Sequence, residues 1–340
     1  FIKLLSKPQR VVIVPHINPD ADALGSSLAL AAVLKKKNHQ VQVISPTEYP
    51  QFLNWMKGNN EVMVYNQGNE AAGDKVIAEA DIVFCLDFCS LNRTDKMEKS
   101  LREAAAVKIL IDHHHGKEDF ADYEFWDTHS AATCELLYQL LVDIDERDLI
   151  DKNTAESLYA GVMTDTGSFR HPNTTRHVHQ VVAELIDLGA DVAKVSKLVY
   201  DNNSLSRLRF MGFALSERLE VLEQYKTAYF AISAEDLKKF SSQTGDTEGL
   251  VNYALSVRGI TMAAIIIERE EAVKLSFRSV GDFAVNELAA EHFEGGGHKN
   301  AAGGISYASM EETVDKFLAL LSQYKTQLQK NQKKQELYLT

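Results

Sequence analysis

Four separated stretches of the chain close an apolar run with carboxylates or imidazoles: His16-Ile17-Asn18-Pro19-Asp20-Ala21-Asp22, then Asp87, then Asp112-His113-His114-His115, then Thr164-Asp165-Thr166-Gly167. Hard oxygen donors mixed with a few imidazoles suit manganese or magnesium better than structural zinc, whose sites are dominated by thiolate. Asp20, Asp22, Asp87 and Asp165 bring four negative charges, which two divalent ions would neutralise and a single ion would leave as a repulsive cluster. Two such ions sharing a water lower its pKa toward neutrality and stabilise both the attacking and the leaving oxygen at phosphorus. Hydrolysis of a phosphate ester is the expected chemistry.

Each stretch also has a purely structural reading. Asp20 and Asp22 stand where a helix begins, between the breakers Pro15 and Pro19 and the small residues Gly25-Ser26-Ser27; one Asp would serve as a cap, but two with His16 exceed what a cap needs. Asp87 taken alone caps the loop over 88–91, and Asp165 taken alone makes an Asx bond in a glycine-assisted turn. Consecutive histidines after the apolar run 106–111 are a poor structural choice, because partial charging near neutral pH would make the fold sensitive to conditions. What outweighs the structural readings is the repetition of one layout.

The elements that must position these residues follow from the spacing of apolar positions. Short apolar runs at 11–15, 41–44, 82–87 and 107–111 predict buried strands, and amphipathic stretches at 24–37, 133–142 and 154–163 predict helices, the pattern of a parallel α/β domain. In open sheets of this kind ligands gather beyond the carboxyl ends of the strands, where residues far apart in sequence converge. Lys35-Lys36-Lys37 suits a solvated helix C-terminus. Residues 187–222 read as helical, with helices at 193–199 and 205–222, and are taken as a connector. Strands at 227–232, 261–268 and 272–277 and a helix at 283–293 then predict a smaller α/β unit. The expected organisation is a metal-binding domain over 1–190, a helical connector over 191–222, a substrate-binding domain over 223–325 and a fraying tail over 326–340.

Composition sets outer limits. With 45% hydrophobic and 25% charged residues the chain is an ordinary globular protein, and no apolar run approaches the roughly 20 residues of a membrane span. Cys85, Cys89 and Cys134 lack metal-ligand spacing, which fits reduced thiols and a cytoplasmic address. A net charge of -12 disfavours binding of long duplex nucleic acid, which needs a broad basic surface. Small anions remain compatible where cations make the field locally positive.

The ordered set His-x-Asn-Pro-Asp-x-Asp, strand-end Asp, Asp-His-His and Thr-Asp-Thr-Gly resembles the DHH phosphoesterase superfamily, with Asp112-His113-His114 as the namesake motif. Gly295-Gly296-Gly297-His298 followed by Ala301-Ala302-Gly303-Gly304 is similar to the signature of the DHH-associated C-terminal domain, so the resemblance covers nearly the whole chain. The layout looks most like the nanoRNase/pAp-phosphatase group, which degrades very short RNA and removes a phosphate from 3',5'-adenosine bisphosphate. The resemblance implies an α/β fold of two domains, a parallel-sheet DHH domain and a smaller C-terminal α/β domain, with the active-site cleft between them. It further implies two Mn2+ per chain, with Mg2+ or Co2+ as substitutes, one held by His16, Asp20 and Asp87 and the other by Asp22, Asp87, His113 and Asp165, so that Asp87 bridges. His114 is implied to orient substrate or assist proton transfer, and Asp112 to hold a ligand histidine from behind. His115 departs from the motif and competes for these roles.

In the second half, successive glycines let backbone N–H groups approach a phosphate closely, and His298 can donate to the same anion; a plain glycine turn is the rival reading. Arg278 ends a strand-like run and matches a basic position of the implied domain, where it would clamp a substrate phosphate; a surface ion pair is its rival. Phe169, Arg170 and His171 follow Asp165 closely enough to meet a base or phosphate. The expected partner is a small nucleotide or short single-stranded RNA, with no membrane, and the sequence is compatible with a homodimer. Other readings are a phosphodiesterase for cyclic or linear dinucleotides, a manganese pyrophosphatase, an exonuclease on longer single-stranded DNA, and a nucleotide-binding protein without catalysis.

Overall fold

The computed structural model describes residues 2–66, 68–243 and 245–335. The chain divides into two compact units, one ending at Asn202 and the next beginning at Asn203.

The first unit contains β1 (Arg10–Val14), α1 (Ala21–Lys36), β2 (Gln40–Ser45), β3 (Met63–Val64), α2 (Glu70–Ala78), β4 (Ile82–Leu86), α3 (Glu98–Glu103), β5 (Val107–Asp112), β6 (Tyr123–Trp126), α4 (Thr133–Asp143), α5 (Lys152–Asp165), α6 (Arg176–Asp187) and α7 (Val192–Tyr200). The strands form one sheet in the order β3-β2-β1-β4-β5-β6, parallel throughout. β4 is buried along its whole length, as a strand covered on both faces must be. Ile13, Phe84 and Ile111 face a core shared with α1, α4 and α5, while Val12, Val83 and Leu110 face a second core that includes Ile77 and Leu101. The chain winds outward from β1 to β3, returns, and winds the other way from β4 to β6. The direction therefore switches between β1 and β4, which opens a crevice at their carboxyl ends.

Helix α1 begins on Asp20, whose Oδ1 accepts from the amides of Asp22 and Ala23. Gly25 lets α1 approach α5: a Cβ there would stand 2.6 Å from the Ser157 carbonyl oxygen. The lysine cluster at its end makes ion pairs, Lys35 with Glu61 at 2.6 Å, Lys36 with Asp151 at 2.7 Å, and Lys37 with Glu146.

The second unit contains α8 (Leu205–Glu217), β7 (Leu219–Leu222), β8 (Thr227–Ile232), α9 (Ala234–Lys239), α10 (Leu250–Leu255), β9 (Met262–Glu268), β10 (Val273–Ser279), α11 (Val285–His292), β11 (Gly296–His298), β12 (Ala301–Ser306) and α12 (Met310–Gln335). Its sheet runs β11-β12-β10-β9-β8-β7, with β8 and β9 paired parallel and the other neighbouring strands antiparallel among the described residues. Phe277, Leu288 and Phe317 belong to the core on one side, and Phe210, Leu250 and Ile265 to the core on the other.

Residues 191–222 are not one helical connector. Val195 and Val199 of α7 are buried in the first unit's core, whereas Phe210 and Ala214 of α8 are buried in the second's. Residues 219–222, expected to prolong a helix, instead pair with β8 from Leu219 opposite Phe230 to Leu222 opposite Thr227; cross-strand pairing overrides a weak helical preference. The expected tail is helical through Gln335, with Leu328 buried, and its last residues, 336–340, lie outside the described residues. No helix among the described residues is long and apolar enough to cross a membrane.

Candidate metal centre

The crevice at the switch point collects the acidic and imidazole side chains singled out in the first half of the sequence. Asp87 lies at its middle, directly after β4. Its backbone is in the left-handed region at φ 66°, and its amide donates to the Ile111 carbonyl of β5 at 3.1 Å. Asp and Asn tolerate this region better than other non-glycine residues. The Asp87 side chain is buried, with its two oxygens facing different imidazoles. Oδ2 is 3.4 Å from His16 Nε2, while Oδ1 is 3.5 Å from His113 Nε2 and 3.6 Å from His114 Nδ1.

His16 leaves the end of β1 with Nδ1 2.6 Å from the Ile17 carbonyl oxygen. A carbonyl can only accept, so Nδ1 carries the proton and Nε2 faces Asp87 and, at 4.0 Å, Asp20 Oδ2. The capping and metal-binding readings of Asp20 are thus compatible: one oxygen caps α1 and the other faces the cluster. Asp22, completely buried, is fixed by the start of α4, where the amides of Thr133 and Cys134 donate to its two oxygens at 2.6 and 2.8 Å. His113 follows the same logic as His16. Its Nδ1 lies 3.2 Å from the Ser130 carbonyl oxygen, and its Nε2 lies 3.3 Å from Asp165 Oδ2 and 3.9 Å from Asp22 Oδ2. Asp165 is the last residue of α5, brought close by Gly161, where a Cβ would stand 2.5 Å from Asp22 Oδ1.

Behind these groups, Asp112 is buried and its Oδ1 meets His114 Nδ1 at 2.8 Å, so the ring it holds is His114 rather than one of the histidines expected to ligate. The rings of His113 and His114 meet edge to face at 4.8 Å. His115 is exposed and belongs to none of the donor groups of the first unit. Among the described residues there, three overlapping sets place one donor atom per residue within 4.8 Å of one another: His16, Asp20 and Asp87; Asp22, Asp87 and His113; Asp87, Asp112 and His114. Asp87 is common to all three.

Electrostatics show what such a cluster needs. Burial, followed by repulsion from Asp87 and Asp165, pushes the Asp22 carboxyl well above the usual range. Burial also raises Asp165, to about 6, against the pull of His113. Burial opposes the charge on Asp87 too, but its bonds to His113 and His16 hold it well below the usual range. For His113 burial favours the neutral ring, and Asp165 and Asp87 overcome it, raising it well above the ordinary imidazole value. Buried acids that raise one another are stabilised by cations, and oxygen with imidazole donors fits hard or borderline divalent ions.

Sequence reasoning missed the supports. Thr133 Oγ1 donates to Asp87 Oδ1 at 2.9 Å. Glu135 Oε2 accepts from Ser130 Oγ at 2.7 Å and from the Ala131 amide at 2.6 Å, and so shapes the turn that presents the Ser130 carbonyl. The available signal was Ser130-Ala131-Ala132-Thr133 leading into α4, a pattern that normally reads only as a helix start.

In the second unit Ala301 is in register with Arg278 on one side and His298 on the other, which places all three on one face of the sheet. The glycines have tight structural reasons. A Cβ at Gly295 would stand 2.0 Å from the Gly303 carbonyl oxygen, and one at Gly297, at φ +139°, would stand 2.5 Å from that of Ala301; Gly296 has nothing within 4 Å.

Residues 10–162 match the DHH family, N-terminal domain, and residues 224–327 match the DHHA1 domain. The bifunctional oligoribonuclease and PAP phosphatase NrnA of Thermus thermophilus is 30% identical over 304 residues, spanning 86% of this chain and 83% of its own length. The protein of the same name from Bacillus subtilis is 26% identical over 321 residues, spanning 94% and 96%. The crystal structure of an exopolyphosphatase-related protein from Bacteroides fragilis superposes with a TM-score of 0.90 at 40% identity, covering 97% of this chain and 96% of that one. The chain belongs to the DHH family, its N-terminal DHH domain followed by a DHHA1 domain.

Proposed function

We propose that this chain is a metal-dependent phosphoesterase that hydrolyses phosphate esters of small nucleotides, namely short oligoribonucleotides and 3',5'-adenosine bisphosphate. The observation that carries the reading is the division of Asp87, whose two buried oxygens face His16 and His113 separately, as a carboxylate shared between two cations would. The names of the Thermus thermophilus and Bacillus subtilis relatives support the substrate class.

His16, Asp20 and Asp87 would hold one divalent cation, and Asp22, Asp87, His113 and Asp165 the other, the imidazoles favouring Mn2+ over Mg2+, with Co2+ as a substitute. When bound, the pair supplies an acidified water and spreads the charge that develops at phosphorus. The chain's own residues do the rest. Asp112 accepts from His114 Nδ1, fixing the ring so that Nε2 can exchange a proton with a substrate oxygen. Arg278, Gly295, Gly296, Gly297 and His298 hold a phosphate of the substrate through a guanidinium, backbone amides and an imidazole. Free thiols at Cys85, Cys89 and Cys134 support a cytoplasmic site of action, and a homodimer is compatible with the reading.

A second reading, hydrolysis of inorganic polyphosphate, is favoured by the name of the Bacteroides fragilis protein. One survey separates the two. The purified protein is incubated with Mn2+ or Mg2+ and with adenosine bisphosphate, short RNA, linear and cyclic dinucleotides, pyrophosphate or polyphosphate, with Asp87→Ala as control. Turnover of the nucleotides with Mn2+, abolished in the control, is expected. Release of phosphate from polyphosphate alone would replace this reading with the second, and no turnover above the control would leave a binding protein.

A further inference from the structure

Trp126 is the last residue of β6, the edge strand of the first sheet, and is 39% exposed. Its neighbour Phe125 packs against the core, but Trp126 belongs to neither core of that unit. A large aromatic surface left in water forgoes the stabilisation that burial would give it. The side chain is nevertheless held in place. Indole Nε1 donates to the His114 carbonyl oxygen at 2.8 Å, and Trp126 stands in register with Asp112 of β5. Lys117 Nζ lies 5.6 Å from the ring centroid and is paired with Glu124, two residues earlier on the same strand and hence on the same face. An indole oriented by hydrogen bond and cation, next to the backbone of Asp112-His113-His114, is a rigid planar surface beside the centre proposed to handle phosphate.

We propose that Trp126 is a stacking platform for a nucleobase of the substrate. The inference rests on the proposed nucleotide phosphoesterase function and specifies its substrate class: a ligand carrying a base, joined to its phosphate through one ribose, is preferred over a base-free phosphate ester or inorganic polyphosphate. Stacking suits this role because every base offers a π-face, so an aromatic platform selects for the presence of a base and tolerates its identity.

The test compares a dinucleotide with its analogue lacking one base, turned over with Mn2+ by the wild-type protein, Trp126→Phe and Trp126→Ala. The wild-type protein should favour the base-bearing substrate by about five- to hundredfold, chiefly through KM. Trp126→Ala should erase that preference by raising KM for the base-bearing substrate alone, while Trp126→Phe, which loses the N–H bond but keeps a ring, should retain most of it. If both variants instead lose kcat equally on both substrates with the preference intact, Trp126 only props the His114 backbone and the inference is overturned. An unchanged Trp126→Ala overturns it too. Should the wild-type protein turn over neither dinucleotide, the phosphoesterase reading fails separately, and binding still decides the platform. With Trp55→Phe leaving Trp126 as the only tryptophan, adenosine monophosphate with Mn2+ should quench its fluorescence and ribose 5-phosphate should not. Equal or absent quenching counts against stacking.

Discussion

A methyl group at Gly161 would stand 2.5 Å from Oδ1 of Asp22, so the closeness of α5 to the acidic cluster depends on that glycine. The same methyl would lie 2.4 Å from Cys134 Sγ. Alanine in a helix interior normally stabilises by up to about 1 kcal/mol. At this position the sign reverses, because backbone and a buried carboxylate would have to move. Gly161→Ala should lose about 1–3 kcal/mol in denaturant unfolding and reduce phosphoesterase turnover at least tenfold. Wild-type stability with wild-type turnover would show that the packing between α5 and Asp22 gives way without consequence.

Thr133 offers a gentler perturbation. Its hydroxyl donates to Asp87 at 2.9 Å while its amide donates to Asp22 at 2.6 Å, and only the first of these is removed by Thr133→Val. Hydrogen bonds behind a ligand typically alter cation affinity by about 10- to 100-fold. Calorimetric titration with Mn2+ should show a loss in that range, with the stability to unfolding changed by no more than about 1–2 kcal/mol. Unaltered affinity would mean that the hydroxyl serves packing alone.

These supports mark the boundary of what the sequence discloses. His16, Asp87 and His113 are legible because each follows an apolar strand, whose carboxyl ends a parallel sheet brings together, whereas Asp20 and Asp22 at the start of α1 and Asp165 at the end of α5 stand out by residue type and spacing and are drawn in by helix packing. The convergence of the first three follows from the strand order. Thr133 and Ser130 are not legible, since contributing a hydroxyl or a carbonyl to a group in another segment leaves no local periodicity. Strand β7 reads as helix for a related reason: its four residues gain their identity from β8. Strands β11 and β12, rich in glycine and alanine, lack the β-branched composition that usually announces a strand.

The cluster should couple cation binding to pH. Burial holds the Asp165 carboxyl at about 6, up from 3.8, so without a cation the native state binds this proton more tightly than the unfolded chain. Its contribution to stability is therefore full below about pH 4 and lost as pH rises through 6, on the order of 3 kcal/mol. A bound cation prefers the ionised carboxylate and offsets that loss. The rise in melting temperature caused by Mn2+ should accordingly grow from pH 5 to pH 7, and the growth should shrink in Asp165→Asn. A metal-induced shift that is flat across this window would remove Asp165 from the proton-linked set.

The glycine run of the second unit separates architecture from binding. Gly295 is pressed against the backbone of β12, where a Cβ would stand 2.0 Å from the Gly303 carbonyl oxygen, whereas a Cβ on Gly296 would meet none of the described residues within 4 Å. Gly295→Ala must push the chain away from β12 and should destabilise by about 1–3 kcal/mol or more. Gly296→Ala should melt like the wild-type protein, so any functional loss it shows reports on what approaches that backbone from outside. If the run admits a substrate phosphate, the added methyl should raise KM for adenosine bisphosphate about tenfold, roughly 1.4 kcal/mol of binding, and leave kcat within about twofold. Steady-state kinetics on the two variants, read beside their melting curves, measure this directly. A Gly296→Ala protein with unaltered KM would assign the glycines to the hairpin and leave phosphate binding to Arg278 and His298.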